Sequence, residues 1–218
     1  MRIILALFIA GFIAFASGGC KSSTGPVTFC DTACLKDTLK FSNDHHPLKP
    51  YVYISAKDCV ADTLIWSYSG MGYNRKMDLP DMIGDVVRLN KHYVRCIIID
   101  TSYAWLLFND CNNGRGYYLK IPFDKSKSIA RSARAINNLD PKFSVAEGMV
   151  AYTDQGNIFV EEMATGKKAM MTLGEQLQFD FDAIHKTLDS VNISPSRIWV
   201  KVKLNEGWKE LEKSITLQ

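Results

Sequence analysis

DPKFSVAEGMVAYTDQGNIFVEEMATG, residues 140–166, is the stretch whose reading decides the fold. Within it Met149–Thr153 and Asn157–Met163 are rich in β-branched and aromatic residues, and the tripeptide Asp154-Gln155-Gly156 between them is turn-forming. The pair reads as an antiparallel hairpin. A second tight turn at Thr165-Gly166 leads into Lys168–Leu173, a third strand. Connections this short leave no room for crossover helices, so the chain here is a meander.

The same pattern extends outward. Tyr51–Ala56 and Thr63–Ser69 read as strands separated by a Lys-Asp-Cys turn, and Gly70–Tyr73 break the pattern. Tyr93–Ile99, Tyr103–Phe108 and Tyr117–Phe123 are apolar runs, the last two separated by the loop Asp110–Gly116. Arg197–Leu204 and Trp208–Ile215 form a hairpin around Asn205-Glu206-Gly207. Strand centres near Trp66, Trp105, Ala151 and Trp199 are 39, 46 and 48 residues apart. Short helices are expected around Ala33–Leu39, at Pro80–Leu89 with Pro80 in its first turn, and at Asp180–Ser190, where Phe181, Ile184, Leu188 and Val191 fall at helical spacing. The expected class is all-β: antiparallel meanders in a propeller-like arrangement, the alternatives being a β-sandwich or an open antiparallel sheet.

Residues 140–166 also resemble a repeat of the TolB-type β-propeller family. Asp140, Pro141, Phe143, Ser144, Gly148, Ala151, Tyr152, Gly156, Ile158, Val160 and Gly166 match its pattern. The family's Pro-Asp-Gly after Ser is replaced by Val145-Ala146-Glu147-Gly148, one residue longer. The resemblance implies blades that bury their faces by stacking on one another. Tyr103–Phe123 and Arg197–Ile215 are then degenerate copies of the repeat. At ~40–50 residues per blade, the chain holds four blades at most.

The first 19 of the 218 residues stand outside this pattern. Arg2 is followed by an apolar run, residues 3–16, and then by Ser17, Gly18 and Gly19 before Cys20. A charged start, a short apolar run and small residues describe a secretory signal. A bilayer span takes ~20 apolar residues, more than this run has. Without residues 1–19, 25 basic residues face 23 acidic ones. That balance excludes a strongly basic nucleic-acid binder, and the signal excludes a cytosolic enzyme. Ser17-Gly18-Gly19-Cys20 resembles the lipobox of bacterial lipoproteins, with Ser17 where a Leu-like residue is usual. The resemblance implies a lipid on Cys20 that anchors the chain to a membrane. Lys21, rather than Asp, implies the outer membrane, facing the periplasm. The alternative is an ordinary signal and a secreted or soluble periplasmic product. Residues 20–50 then form a lipidated tether and N-terminal loop, and 51–218 a single β-rich domain.

The remaining cysteines are Cys30, Cys34, Cys59, Cys96 and Cys111. An oxidising compartment permits disulfides. Five is odd, so at least one thiol is left over. The expected pairs are Cys30–Cys34, which are local, and Cys96–Cys111, which flank two apolar runs. A zinc site from Cys30, Cys34, His45 and His46 is disfavoured, because adjacent histidines rarely converge on one ion. No metal or cofactor is expected.

Catalytic motifs are absent from the chain: there is no G-x-S-x-G, no H-E-x-x-H and no phosphate loop. Glu161 and Glu162 are neighbours on a strand and so point to opposite faces. The basic stretch 125–134 reads as solvated surface. Tyr68, Tyr73, Trp105, Tyr117 and Tyr118 are candidates to line a glycan or peptide groove or, as sheet residues, to pack a core. The expectation is a non-enzymatic, lipid-anchored envelope protein that binds another envelope protein or a glycan, or has a purely structural role. The alternative is an envelope hydrolase whose site is assembled from distant loops.

Overall fold

The computed structural model describes residues 35–173, 187–204 and 207–218. Sixteen strands in this region form four four-stranded sheets. The first holds β1 (Leu39–Ser42), β2 (Tyr51–Lys57), β3 (Val60–Ser67) and β4 (Arg75–Asp78) in that order. The second holds β5 (Val94–Ile99), β6 (Tyr103–Asn109), β7 (Gly116–Pro122) and β8 (Ala130–Ser132). In the third, β9 (Ala135–Ile136) pairs with β11 (Met149–Asp154), which is followed by β12 (Asn157–Glu162) and β13 (Lys168–Thr172). The fourth holds β10 (Phe143–Val145), β14 (Leu188–Ser194), β15 (Arg197–Leu204) and β16 (Gly207–Ser214). This is the all-β class of antiparallel meanders expected from the sequence. Trp66, Trp105, Ala151 and Trp199 fall on β3, β6, β11 and β15, an inner strand of each sheet.

Burial patterns explain how the sheets stack. β6 reads YAWLLFN and is buried along nearly its whole length. A continuous apolar strand needs cover on both faces. Ala104, Leu106 and Phe108 pack with Val52, Ile54, Leu64 and Trp66 of the first sheet. Trp105 and Leu107, on the opposite face, pack with Val150 and Met163 of the third. Ala151, Ile158 and Val160 then share a core with Val191, Ile198 and Val200 of the fourth. The buried indole Nε1–H of Trp66 donates to Pro122 O at 2.9 Å, and Arg75 donates to the same carbonyl at 2.7 Å. These bonds tie the first sheet to the end of β7.

Two crossings join the later sheets. Only Ala133 and Arg134 separate β8 from β9, so the chain passes directly from the second sheet to the third. At this crossing a Cβ on Gly116 would lie 2.2 Å from Ala135 O, so only glycine fits there. The second crossing is β10, which leaves the third sheet and pairs in parallel with β14 (Phe143↔Val191, Val145↔Ile193). The open edge of β10 is met by Asn138, whose side chain both accepts from Val145 N–H and donates to Val145 O.

Several expectations need correction. The helix α1 spans Leu79–Ile83, not Pro80–Leu89. Asp78 caps its start by accepting from Asp81 N–H, and Gly84 at φ 83° ends it. The expected helix at Asp180–Ser190 falls partly outside the described residues, and Leu188–Ser194 is β14. A register shift between Leu188 and Ser190 brings Leu188 and Val191 to one face, which imitates helical spacing. Leu39, placed at the end of a helix, begins β1. The first sheet therefore starts before residue 51, and 43–50 is its first hairpin loop. The stretch 124–138 also carries two short strands, β8 and β9.

Candidate functional site

The candidate site is built on the outer face of the first sheet. β2 alternates strictly at its start: Val52 and Ile54 are buried in the core, and Tyr51 and Tyr53 point the other way. Their rings lie 4.5 Å apart at 27°. The loop after β3 brings in Tyr68 and Tyr73, and Gly70 (φ 90°) and Gly72 (φ 76°) supply the left-handed turns it needs. Ser67 Oγ donates to Tyr73 O at 2.8 Å, and Ser69 N–H donates to Leu48 O at 2.7 Å. Tyr51 Oη donates to Asn74 Oδ1 at 2.9 Å. Together these residues enclose a cleft of about 600 Å³. Ser42, Asp44, Lys49 and Asn74 complete its polar lining.

Each ring is braced by a neighbour. Tyr68 meets Phe123 edge-on at 5.8 Å. Lys125 Nζ sits 3.5 Å from the Tyr73 ring centre, and Lys40 Nζ lies 5.8 Å from that of Tyr53. Asp124, beside Lys125, accepts from Ser126 N–H and Oγ, and these bonds hold its carboxyl below the usual range. The basic stretch thus supplies one cation to the cleft's edge. No protein-family profile and no curated protein sequence matches this chain.

The other aromatic candidates separate from this site. Trp105 and Tyr118 are buried between the second and third sheets, and Tyr117 lies in the core between the first and second, stacked on Phe108 at 5.1 Å. Tyr51 and Tyr53, which the sequence marks only as strand residues, take their place in the cleft. Period-2 alternation in YVYISA is the signal that puts them on the face opposite Val52 and Ile54.

Two further cavities meet at Cys96. One, about 570 Å³, has a mixed lining: Ile97, Leu107, Met149 and Met163 on one hand, and Arg95, Asn137, Asn138 and Glu147 on the other. The other, about 520 Å³, lies between β1 and β5 and shares Ser42 and Asp44 with the tyrosine cleft. Burial pushes the Cys96 thiol up to about 12, so it is a poor nucleophile.

Cys20, Cys30 and Cys34 lie outside the described residues, as does His185. The expected Cys96–Cys111 bridge is not formed. Cys96 stands opposite Leu106, and Cys111 lies in the turn beyond Asn109, the last residue of β6. The three residues of strand from Leu106 to Asn109 alone span about 10 Å, beyond the reach of a disulfide. Cys59, assigned to no pair from the sequence, is disulfide-bonded. His45 is exposed, and His46 Nδ1 accepts from Leu48 N–H at 3.1 Å. Glu161 and Glu162 do point apart: Glu161 is buried against two lysines, and Glu162 accepts from Thr165 Oγ1.

Proposed function

We propose that this chain is a lipid-anchored protein of the bacterial cell envelope whose β domain binds another envelope component through the tyrosine-lined cleft. The reading rests on two features. Residues 1–20 carry the signal and lipobox-like pattern, so the domain is tethered at its N-terminal end. The cleft carries the binding assignment: four braced aromatic rings and unspent polar groups form a pre-organised surface. Asp44 is the one carboxylate among its lining residues. Glycoside hydrolysis ordinarily takes a pair, so the cleft suits holding a ligand better than cleaving one.

Fractionation of cells and a cross-linking experiment test the two halves separately. Cys20→Ser moves the protein from the membrane to the soluble fraction; retention in the membrane fraction rejects the anchor. A photo-cross-linking amino acid at position 73 captures an envelope component in cells, and the same amino acid at exposed position 208 does not. Equal capture at both positions rejects the cleft as the binding surface.

A further inference from the structure

We propose that the cleft is a saccharide site, holding a short segment of a glycan chain against its tyrosines. The inference rests on the reading of the cleft as a binding surface and names the chemistry of its occupant. Apart from Gly72, the lining consists of four tyrosines and of charged or polar residues; no Ala, Val, Leu, Ile, Met or Phe contributes. A peptide anchor seeks an apolar pocket for an aliphatic or aromatic side chain, and the cleft lining holds no Ala, Val, Leu, Ile, Met or Phe to form one. A sugar ring instead offers a face of C–H groups edged by hydroxyls, which suits a flat aromatic face flanked by short polar side chains.

The polar groups match that pattern. Asp44 only accepts hydrogen bonds. Asn74 Oδ1 is engaged by Tyr51, which leaves its amide N–H₂ to donate. The hydroxyls of Ser42 and Ser69 do both. Pairing as an added β-strand is closed at this place, because Tyr51 and Tyr53 lie on an inner strand already laddered to Ser42 and Lys40 on one side and to Ser67 and Ile65 on the other. Tyr73, 39% exposed and backed by Lys125, offers the most accessible ring.

The test is titration of the signal-free protein with three tetrasaccharides, followed by NMR and calorimetry. The probes are β-1,4-linked N-acetylglucosamine, α-1,4-linked glucose and α-1,4-linked galacturonate. Saturable binding of at least one is expected. Tyr73→Ala weakens it roughly tenfold, Tyr73→Phe keeps it near the native value, and Trp208→Ala leaves it unchanged. Circular dichroism and thermal melting confirm that each variant is folded. Binding of none of the three overturns the proposal. So does saccharide binding that Tyr73→Ala leaves intact, or Tyr73-dependent binding of peptides alone. Cross-linking at position 73 with no saccharide bound would reject this inference while leaving the envelope-binding reading in place.

Discussion

Lys120 Nζ lies 2.8 Å from Glu161 Oε1, joining the second sheet to the third. Lys168, opposite Glu161 on β13, reaches the other carboxylate oxygen at 3.2 Å. Burial pulls the Lys168 ammonium's pKa down, but the hydrogen bond and charge of Glu161 outweigh it and hold it above its ordinary value. Lys120 also lies over the rings of Tyr103 and Trp105, at 4.6 and 4.8 Å. The Glu161 side chain is 6% exposed, so these partners stand where water would otherwise solvate it. Glu161→Gln leaves Lys120 without its counter-charge and costs about 3 kcal/mol. Lys168→Ala removes a half-exposed partner and costs under ~1 kcal/mol. Urea denaturation of the two variants measures the difference, and equal losses would contradict this account.

Gly116→Ala and Gly148→Ala separate two reasons for glycine. A Cβ at 116 collides with the Ala135 backbone, which cannot swing away as a side chain would. The expected cost is about 3 kcal/mol or more, with the crossing from β8 to β9 displaced. Gly148, at φ 76° in open space, meets only left-handed strain of about 1 kcal/mol. Thermal melts that rank the two the other way would contradict the assigned approach of β9 to β7.

Trp66→Phe keeps an aromatic ring in the first core but removes the indole donor to Pro122 O. It also shrinks the platform on which Arg75 lies at 4.9 Å. The expected loss is about 2 kcal/mol. Amide exchange should accelerate most at the end of β7, where Pro122 and Phe123 meet the first sheet. Acceleration confined to β3 would show that the bond does not join the sheets.

Cys96 gives a pH signature. Its pKa is raised from 9.0 to about 12 in the folded protein. The folded state therefore keeps this proton where the unfolded chain loses it. The corresponding stability is complete below pH 9 and is lost as pH rises from there towards 12. At pH 8 the native thiol has roughly a thousandfold less thiolate than an ordinary cysteine. Iodoacetamide, followed by mass spectrometry, should label Cys96 in urea and leave it unmodified in the native protein. Equal labelling in both states would rule out the raised pKa of the native thiol.

The legible parts of this fold were those with both a strong apolar run and a glycine turn. Met149–Thr153, Asn157–Met163 and Lys168–Leu173 emerge as β11, β12 and β13 within a residue, and Gly156 and Gly166 mark the turns between them at φ 77° and 74°. Short edge strands were not legible. β1 reads LKFS, too short for its alternation to stand out, and β4 reads RKMD, mostly polar; both are strands because a neighbour supplies the ladder. β14 was misread because its register shift gives strand residues a helical spacing. Half of the candidate cleft was visible in Tyr68 and Tyr73. Alternation in YVYISA turns Tyr51 and Tyr53 away from Val52 and Ile54, but that the loop after β3 brings Tyr68 and Tyr73 to the same face needed the fold.

The detour of β10 makes the third and fourth sheets inseparable. Its residues precede β11 in the chain, yet its ladder partner Val191 comes after the whole third sheet is complete. A cut after Leu173 would strand Phe143 and Val145 on one fragment and Val191 and Ile193 on the other. The latter half of this protein has no seam at which evolution or an experimenter could divide it: to exchange the fourth sheet is to exchange a piece of the third.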